Sequence, residues 1–300
     1  MNRCRRIPAL LAVLALLSIS SFAADNPPRT RIVMLGTGLP RPIPERSGPA
    51  TAIVVDDRAY LVDFGPGVVR RASAAAAKDI PALDPKQIKV AFVTHLHSDH
   101  TAGLPDLILT PWVMGRTDLN IYGPEGTEEM VSLVMRAWHR DISIRTEGME
   151  RRPPLVVNAH DVKPGVVFKD DKVTVTAFPV AHGQWKQAFG YRFDTPDRSI
   201  VISGDTSPSE ELLRSCRRCD VLIHEAYSPT APSPPMPDWK AYAAKYHTST
   251  SQLAEIANQT QPGLLIIYHQ SDRVPDEQVL QEVRSGYKGK VVMSHDLDVY

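Results

Sequence analysis

The chain has 300 residues, 43% hydrophobic side chains and 34 basic against 34 acidic residues, enough to bury one large core or two small ones. Ordinary apolar content excludes a disordered chain. A formal net charge of zero and a pI near 7.2 exclude a bulk nucleic-acid binder, which carries a strongly basic balance or stripe.

At the N-terminus, Arg3, Arg5 and Arg6 precede an apolar run from about Ile7 to Ile19, and Ser21-Phe22-Ala23 places small residues where signal peptidase reads. The run is shorter than the ~20 residues of a spanning helix. Residues 1–23 are therefore expected to be a cleaved signal peptide, giving a periplasmic or secreted mature chain with no membrane span. Cys4 precedes the apolar run, the wrong side for lipid attachment. Cleavage leaves 31 basic against 34 acidic side chains, a net charge of −3. Residues 24–300 contain no long linker or short repeat and are expected to form a single domain.

Strand-like runs follow at Arg31–Leu35, Ala52–Val55, Tyr60–Asp63, Ile88–Thr94, Leu119–Tyr122, Val173–Phe178, Ile200–Ser203, Val221–His224 and Leu264–Tyr268. Helical patterns fall near Gly67–Ala77, Thr101–Thr110, Glu125–Ala137, Ser249–Asn258 and Asp276–Ser285. Strands mixed with helices over this length predict a layered α/β sandwich. Residues 145–165, with Arg151-Arg152-Pro153-Pro154, carry few periodic signals and are expected to be irregular. Residues 228–239 hold five prolines. Such a loop is stiff, and long loops in compact domains are often functional. Trp239 and Tyr242 just beyond it are candidates for a site rim. Cys216 and Cys219 follow a helical-looking Ser209–Arg214. No second cysteine pair exists for a four-cysteine zinc site, so a structural role is expected, with a local disulfide left open.

Chemistry concentrates in Thr94-His95-Leu96-His97-Ser98-Asp99-His100, just after a β-rich apolar run. Imidazole suits zinc and other first-row metals, and carboxylate adds an oxygen donor. Three imidazoles and one carboxylate within six residues are too many for one catalytic zinc, which takes three protein groups plus water. The spacing points to two metals side by side. His182, Asp205 and His269 each stand at the exit of another strand-like run, where a sheet gathers residues into one site.

The motif His-x-His-x-Asp-His at 95–100, followed by His182, Asp205 and His269, resembles the metallo-β-lactamase superfamily over nearly the whole mature chain. The resemblance implies a four-layer αββα sandwich of two similar halves. It implies a first metal on His95, His97 and His182, a second on Asp99, His100 and His269, and Asp205 bridging. Zinc is the default for the two divalent ions, with iron or manganese as alternatives for a nitrogen and oxygen site. Leu35-Gly36-Thr37-Gly38, Asp63-Phe64-Gly65, Phe189-Gly190-Tyr191-Arg192, Ser203-Gly204-Asp205-Thr206, His224-Glu225-Ala226 and His247-Thr248-Ser249 are similar to the branch containing ribonuclease Z, zinc-dependent arylsulfatases and phosphodiesterases. That likeness implies that Glu225 and His247 assist the leaving group.

The expected function is an exported dinuclear hydrolase of phosphodiesters or aryl sulfates. Hydroxide generated between the metals would attack, with Asp99 orienting or deprotonating it. Other esterolytic readings are a lactonase, thioesterase or β-lactamase; a non-catalytic metal-binding scaffold is the rival from another class. Ribonuclease Z carries a long tRNA-gripping arm between the positions of His182 and Asp205. The gap here is 23 residues, so the expected partner is a small-molecule ester and not tRNA. Relatives that dimerise make a homodimer an option. His139, Arg145, Trp185, Trp239 and Tyr242 are candidate pocket residues, because Arg fits sulfate or phosphate and aromatic rings stack on aryl groups.

Overall fold

A computed structural model describes residues 28–300; the expected signal segment 1–23 lies outside them. Two sheets stack face to face. The first has the order β1 (Thr30–Gly36), β2 (Ala50–Val55), β3 (Arg58–Val62), β4 (Val90–Phe92), β5 (Asp118–Gly123), β6 (Val156–Asp161). The second holds β7 (Gly165–Lys169), β8 (Thr174–Pro179), β9 (Phe189–Asp194), β10 (Ser199–Ile202), β11 (Val221–Glu225), β12 (Leu264–Tyr268) and β13 (Val291–Met293), in chain order from one edge to the other.

Each sheet begins as an antiparallel meander, β1 to β3 and β7 to β10, and continues with parallel neighbours. Parallel neighbours need a crossover, which helices supply. In the first half these are α1 (Val68–Ala76), α2 (Ser98–Thr101), α3 (Leu104–Val113), α4 (Thr127–Ala137) and α5 (His139–Glu147). In the second they are α6 (Glu210–Ser215), α7 (Trp239–Tyr246), α8 (Thr250–Thr260) and α9 (Asp276–Gly286).

The strand period of two sorts the apolar side chains into three layers. On β1, Ile32 and Met34 pack between the sheets while Val33 and Leu35 pack under α1 and α3. On β12, Ile266 and Tyr268 face the first sheet while Leu265 and Ile267 pack with residues of α8 and α9. Strands covered on both faces read as unbroken apolar runs, which is why β2 and β12 were visible in the sequence. The architecture is the expected αββα sandwich.

Several local expectations need correction. Residues 145–165 are not irregular throughout: α5 runs to Glu147, and β6 occupies Val156–Asp161. As an edge strand, β6 pairs only with β5 and leaves Val156 and Asn158 in a half-solvated, weakly patterned segment. The expected helix Thr101–Thr110 splits into α2 and α3 at Ala102-Gly103. There the Gly103 N–H donates to the Phe64 carbonyl at 3.0 Å, an approach that leaves no room for a Cβ. Strands β7, β9 and β13 carry no legible run of their own. Among the described residues, no helix is long and apolar enough to cross a membrane.

Candidate metal centre and its cavity

In the second sheet β8, β10, β11 and β12 point the same way, because β9 is antiparallel to both β8 and β10. Their C-terminal ends deliver His182, Asp205, Glu225 and His269 to one edge, where open α/β sheets place their ligands. From the first sheet, the turn after β4 brings His95 and His97, and α2 brings Asp99 and His100.

The donor atoms form two groups, His95, His97, His182 and Asp205, and Asp99, His100 and His269, with atoms in each within 4.8 Å of one another. His97 Nδ1 lies 2.9 Å from His95 Nε2 and 3.2 Å from His182 Nε2. Asp205 stands between the groups. Its Oδ1 is 3.4 Å from His100 Nε2, and its Oδ2 is 3.4 Å from His269 Nε2.

Burial disfavours imidazolium, and neighbouring imidazoles repel a further proton, so His95 titrates well below its usual range. Burial and then His182 hold His97 at about 4, and burial lowers His182. These three rings therefore present lone pairs at neutral pH, as ligation requires. His100 goes the other way: burial lowers its pKa, but the carboxylates of Asp205, Asp63 and Asp99 outweigh that and raise it well above normal. Burial pushes Asp205 and Asp99 up, yet His269 and His100 keep both below the usual carboxylate range. His100 Nε2 and Asp205 Oδ1 are buried and face each other at 3.4 Å without an aligned hydrogen bond to any group. Orphaned buried atoms are costly. Two such atoms inside a buried cluster of imidazoles and carboxylates fit divalent cations that prefer nitrogen and oxygen donors.

A second layer of residues holds the donors. Asp63, at the exit of β3 with φ 60°, accepts from the Thr94 N–H at 2.8 Å and from His100 Nδ1 at 2.8 Å. His95 Nδ1 lies 3.0 Å from Thr94 Oγ1, and His182 Nδ1 donates to the Tyr246 carbonyl at 2.8 Å. Trp185 Nε1 donates to His97 Nε2 at 2.9 Å. Such outer partners fix ring orientation. His269 (φ 59°) and Gly204 (φ 62°) also adopt the left-handed region, and a Cβ on Gly204 would sit 2.9 Å from Thr94 Cβ. The sequence pattern assigns no role to Asp63, Thr94 or Tyr246. The signal for Asp63 was present, since it too closes a strand-like run.

A cavity of about 370 Å³ opens beside His97, Asp99, Asp205 and His269. Glu225 and His247 line it, with His247 Nδ1 3.1 Å from Glu225 Oε1. Burial lowers the His247 pKa, but Glu225, with Asp205 and Asp99 beyond it, raises it to about 9. Trp239 and Tyr242 line the same cavity. The other proposed pocket residues do not. His139 and Arg145 lie on α5 in the first half, where His139 is exposed and Arg145 pairs with Asp141 and Glu150, both at 3.0 Å. Trp185 borders a separate depression with Leu96 and Gln187, and its indole meets the centre at His97. Cys216 and Cys219 are joined by a disulfide, buried among Leu212, Leu222 and Leu253, in keeping with a structural role.

The family described as beta-lactamase superfamily domain matches residues 58–270. Ribonuclease Z of Mycobacterium sp. (strain KMS) is 36% identical over 244 residues, covering 79% of this chain and 83% of that protein. The metallo-beta-lactamase fold protein YhfI from Bacillus subtilis superposes with a TM-score of 0.70 at 16% identity, covering 90% of this chain and 99% of YhfI. The short form of human tRNase Z superposes with a TM-score of 0.66 at 22% identity, covering 90% and 98%. These relatives overturn the expectation of a small-molecule ester and no tRNA. That expectation rested on the short stretch between His182 and Asp205, which the structure fills with β9 and β10. A missing arm constrains how a substrate is gripped; it does not change the donors at the strand ends, which set the chemistry. By the match over residues 58–270 and the 36% identity to ribonuclease Z, the chain belongs to the metallo-β-lactamase superfamily, in the branch of metal-dependent hydrolases that contains ribonuclease Z.

Proposed function

We propose that the chain is a dinuclear metal-dependent phosphodiesterase of the ribonuclease Z kind, hydrolysing phosphodiester bonds of RNA. One observation carries the reading: the Glu225–His247 pair, 3.1 Å apart, shares a cavity with the two donor groups. His95, His97 and His182 would hold one cation, Asp99, His100 and His269 the other, with Asp205 between them. Zinc is the first metal to try. Bound divalent cations supply a nucleophile from water near neutral pH and neutralise charge developing on phosphate oxygens.

The remaining work falls to side chains. Asp99 is ionised and lines the cavity, so it orients the attacking water and accepts its proton. His247, held as the imidazolium up to about pH 9, gives its proton to the departing alkoxide. Glu225 keeps that ring in place and stabilises its charge, itself fixed by the Thr248 N–H at 3.1 Å. Export is part of the proposal, and cleavage after Ala23 is read from the mass of the mature N-terminus.

The test compares an RNA bearing a 3′ extension, bis(p-nitrophenyl) phosphate and p-nitrophenyl sulfate, with zinc-loaded and chelator-treated protein. Phosphodiester cleavage lost on chelation is expected. Faster turnover of the sulfate ester would overturn the assignment. If neither ester class is cleaved, lactones, thioesters and β-lactams come next.

A further inference from the structure

The cavity beside the metal centre has two unlike ends. One carries the charged donors and the Glu225–His247 pair. The other is built from Leu39, Pro232, Pro234, Met236, Trp239 and Tyr242. Hydrolysis at phosphorus uses only the first end, so the second has work the mechanism does not explain.

Trp239, Tyr242 and Tyr246 recur at helical spacing on α7 and form an aromatic ladder on one face. The Trp239 and Tyr242 ring centroids are 5.7 Å apart with planes at 27°; those of Tyr242 and Tyr246 are 4.3 Å apart at 14°. The Tyr242 centroid is 5.9 Å from that of His247, so the aromatic wall begins one ring's breadth from the proton donor. The proline-rich loop also lines the cavity, and it is tied down. Glu282 on α9 accepts from Ser228 Oγ at 2.8 Å and Thr230 Oγ1 at 2.7 Å, and Arg273 donates to the Pro232 carbonyl at 3.3 Å. A cavity end already lined by an aromatic ladder and a stapled proline loop costs little ordering on binding. Tyr242 is sandwiched between Trp239 and Tyr246, so a guest ring meets this ladder at its Trp239 end or along its edges, and aromatic contact of that kind tolerates any ring identity.

We propose that this end of the cavity seats a planar aromatic ring of the substrate, carried next to the scissile phosphate and packed against Trp239 and Tyr242. The inference rests on the phosphodiesterase reading and deepens it. The ring is either the nucleobase of the nucleotide at the cleaved bond or the ring of an aryl alcohol. Both have the same shape and stacking chemistry.

Two measurements on the zinc-loaded protein test this. Calorimetric titration with phenylphosphonate and methylphosphonate compares ligands of equal charge that differ by the ring. The phenyl compound is expected to bind at least about fivefold more tightly, the low end of one stacked ring. Trp239→Leu and Tyr242→Leu should cut that ratio below about threefold, and Trp239→Phe should keep it. Equal binding of the two phosphonates, or a ratio that survives both leucine variants in folded protein, overturns the proposal. The second measurement compares kcat/KM for an RNA dinucleotide with the same dinucleotide abasic at either position, and, on that dinucleotide, inhibition by methyl phenyl phosphate with inhibition by dimethyl phosphate. A gain from the base identifies a nucleobase, and a gain only from phenyl identifies an aryl group. No gain in either pair sinks the ring site while leaving the phosphodiesterase reading intact. If no phosphodiester is cleaved at all, that reading fails, and the phosphonate ratio still decides whether a ring is held.

Discussion

Glu225 Oε1 accepts from His247 Nδ1 at 3.1 Å while also receiving the Thr248 N–H at 3.1 Å and the Thr206 N–H at 3.3 Å. A carboxylate oxygen with three donors cannot swing, so the imidazole bonded to it is fixed at the cavity wall. Its proton should matter most when the departing oxygen is a poor leaving group. For His247→Ala, we expect kcat to fall about 10²–10³-fold on an RNA phosphodiester, whose alkoxide needs protonation, and much less on a p-nitrophenyl ester. Equal losses on both substrates would remove His247 from the proton-donor role.

Asp205 lies with the donors of the first group and also reaches the second, 3.4 Å from His100 and 3.4 Å from His269. Asp205→Ala should lower the metal content per chain, read by atomic emission, and abolish turnover. A variant that retains its full metal content and turns over normally would show that Asp205 does not join the groups.

Asp63 acts on the centre through His100 and Thr94. Asp63→Ala should weaken metal affinity about 10–100-fold, the usual effect of losing an outer partner, as read by competition against a chromogenic chelator. An unchanged affinity would make the Asp63–His100 contact purely a packing feature.

Buried Asp63, Asp99 and Asp205 crowd a site with limited positive charge, so metal loading should stabilise the fold. At a free metal concentration 100-fold above Kd the gain is about 2.7 kcal/mol. The melting temperature should therefore fall on chelation and recover when zinc is restored. Identical melting curves with and without chelator would argue that the cluster takes no metal.

Glu282 ties the proline-rich loop to α9 and to the start of α8, where it accepts from Thr250 Oγ1 at 2.8 Å. Burial raises its pKa, but the hydroxyls of Thr230, Ser228 and Thr250 outweigh this and hold it below the usual range. A depressed folded pKa contributes stability above the ordinary glutamate value of about 4.3, and that stability is lost as pH falls through the folded pKa. Glu282→Gln should lower the melting temperature at pH 7, with the gap to wild type narrowing below about pH 4. A gap independent of pH would show that the carboxylate charge plays no part.

Much of this protein is written locally. The buried strands β1, β2, β4, β11 and β12 are legible because both faces are covered, which leaves an uninterrupted apolar run. The candidate metal ligands are legible because His95, His97, His182, Asp205 and His269 stand just beyond strand-like runs, and Asp99 and His100 follow closely after the first of these, on α2. The edge strand β6 and the helix α5 escaped because half-solvated segments carry weak periodicity. Cavity membership was not local either: Trp239 and Tyr242 line the cavity, whereas His139 and Arg145, of equally suitable chemistry, lie on α5 away from it. The role of Asp63 depended on long-range packing in the same way, since β3 and β4 must pair before its carboxylate can reach Thr94 and His100. The sequence by itself determined which donors exist and at which strand ends they stand. Only the stacking of two sheets decided which of them meet, because the distances between strand exits are set by sheet order and packing, which no single segment encodes.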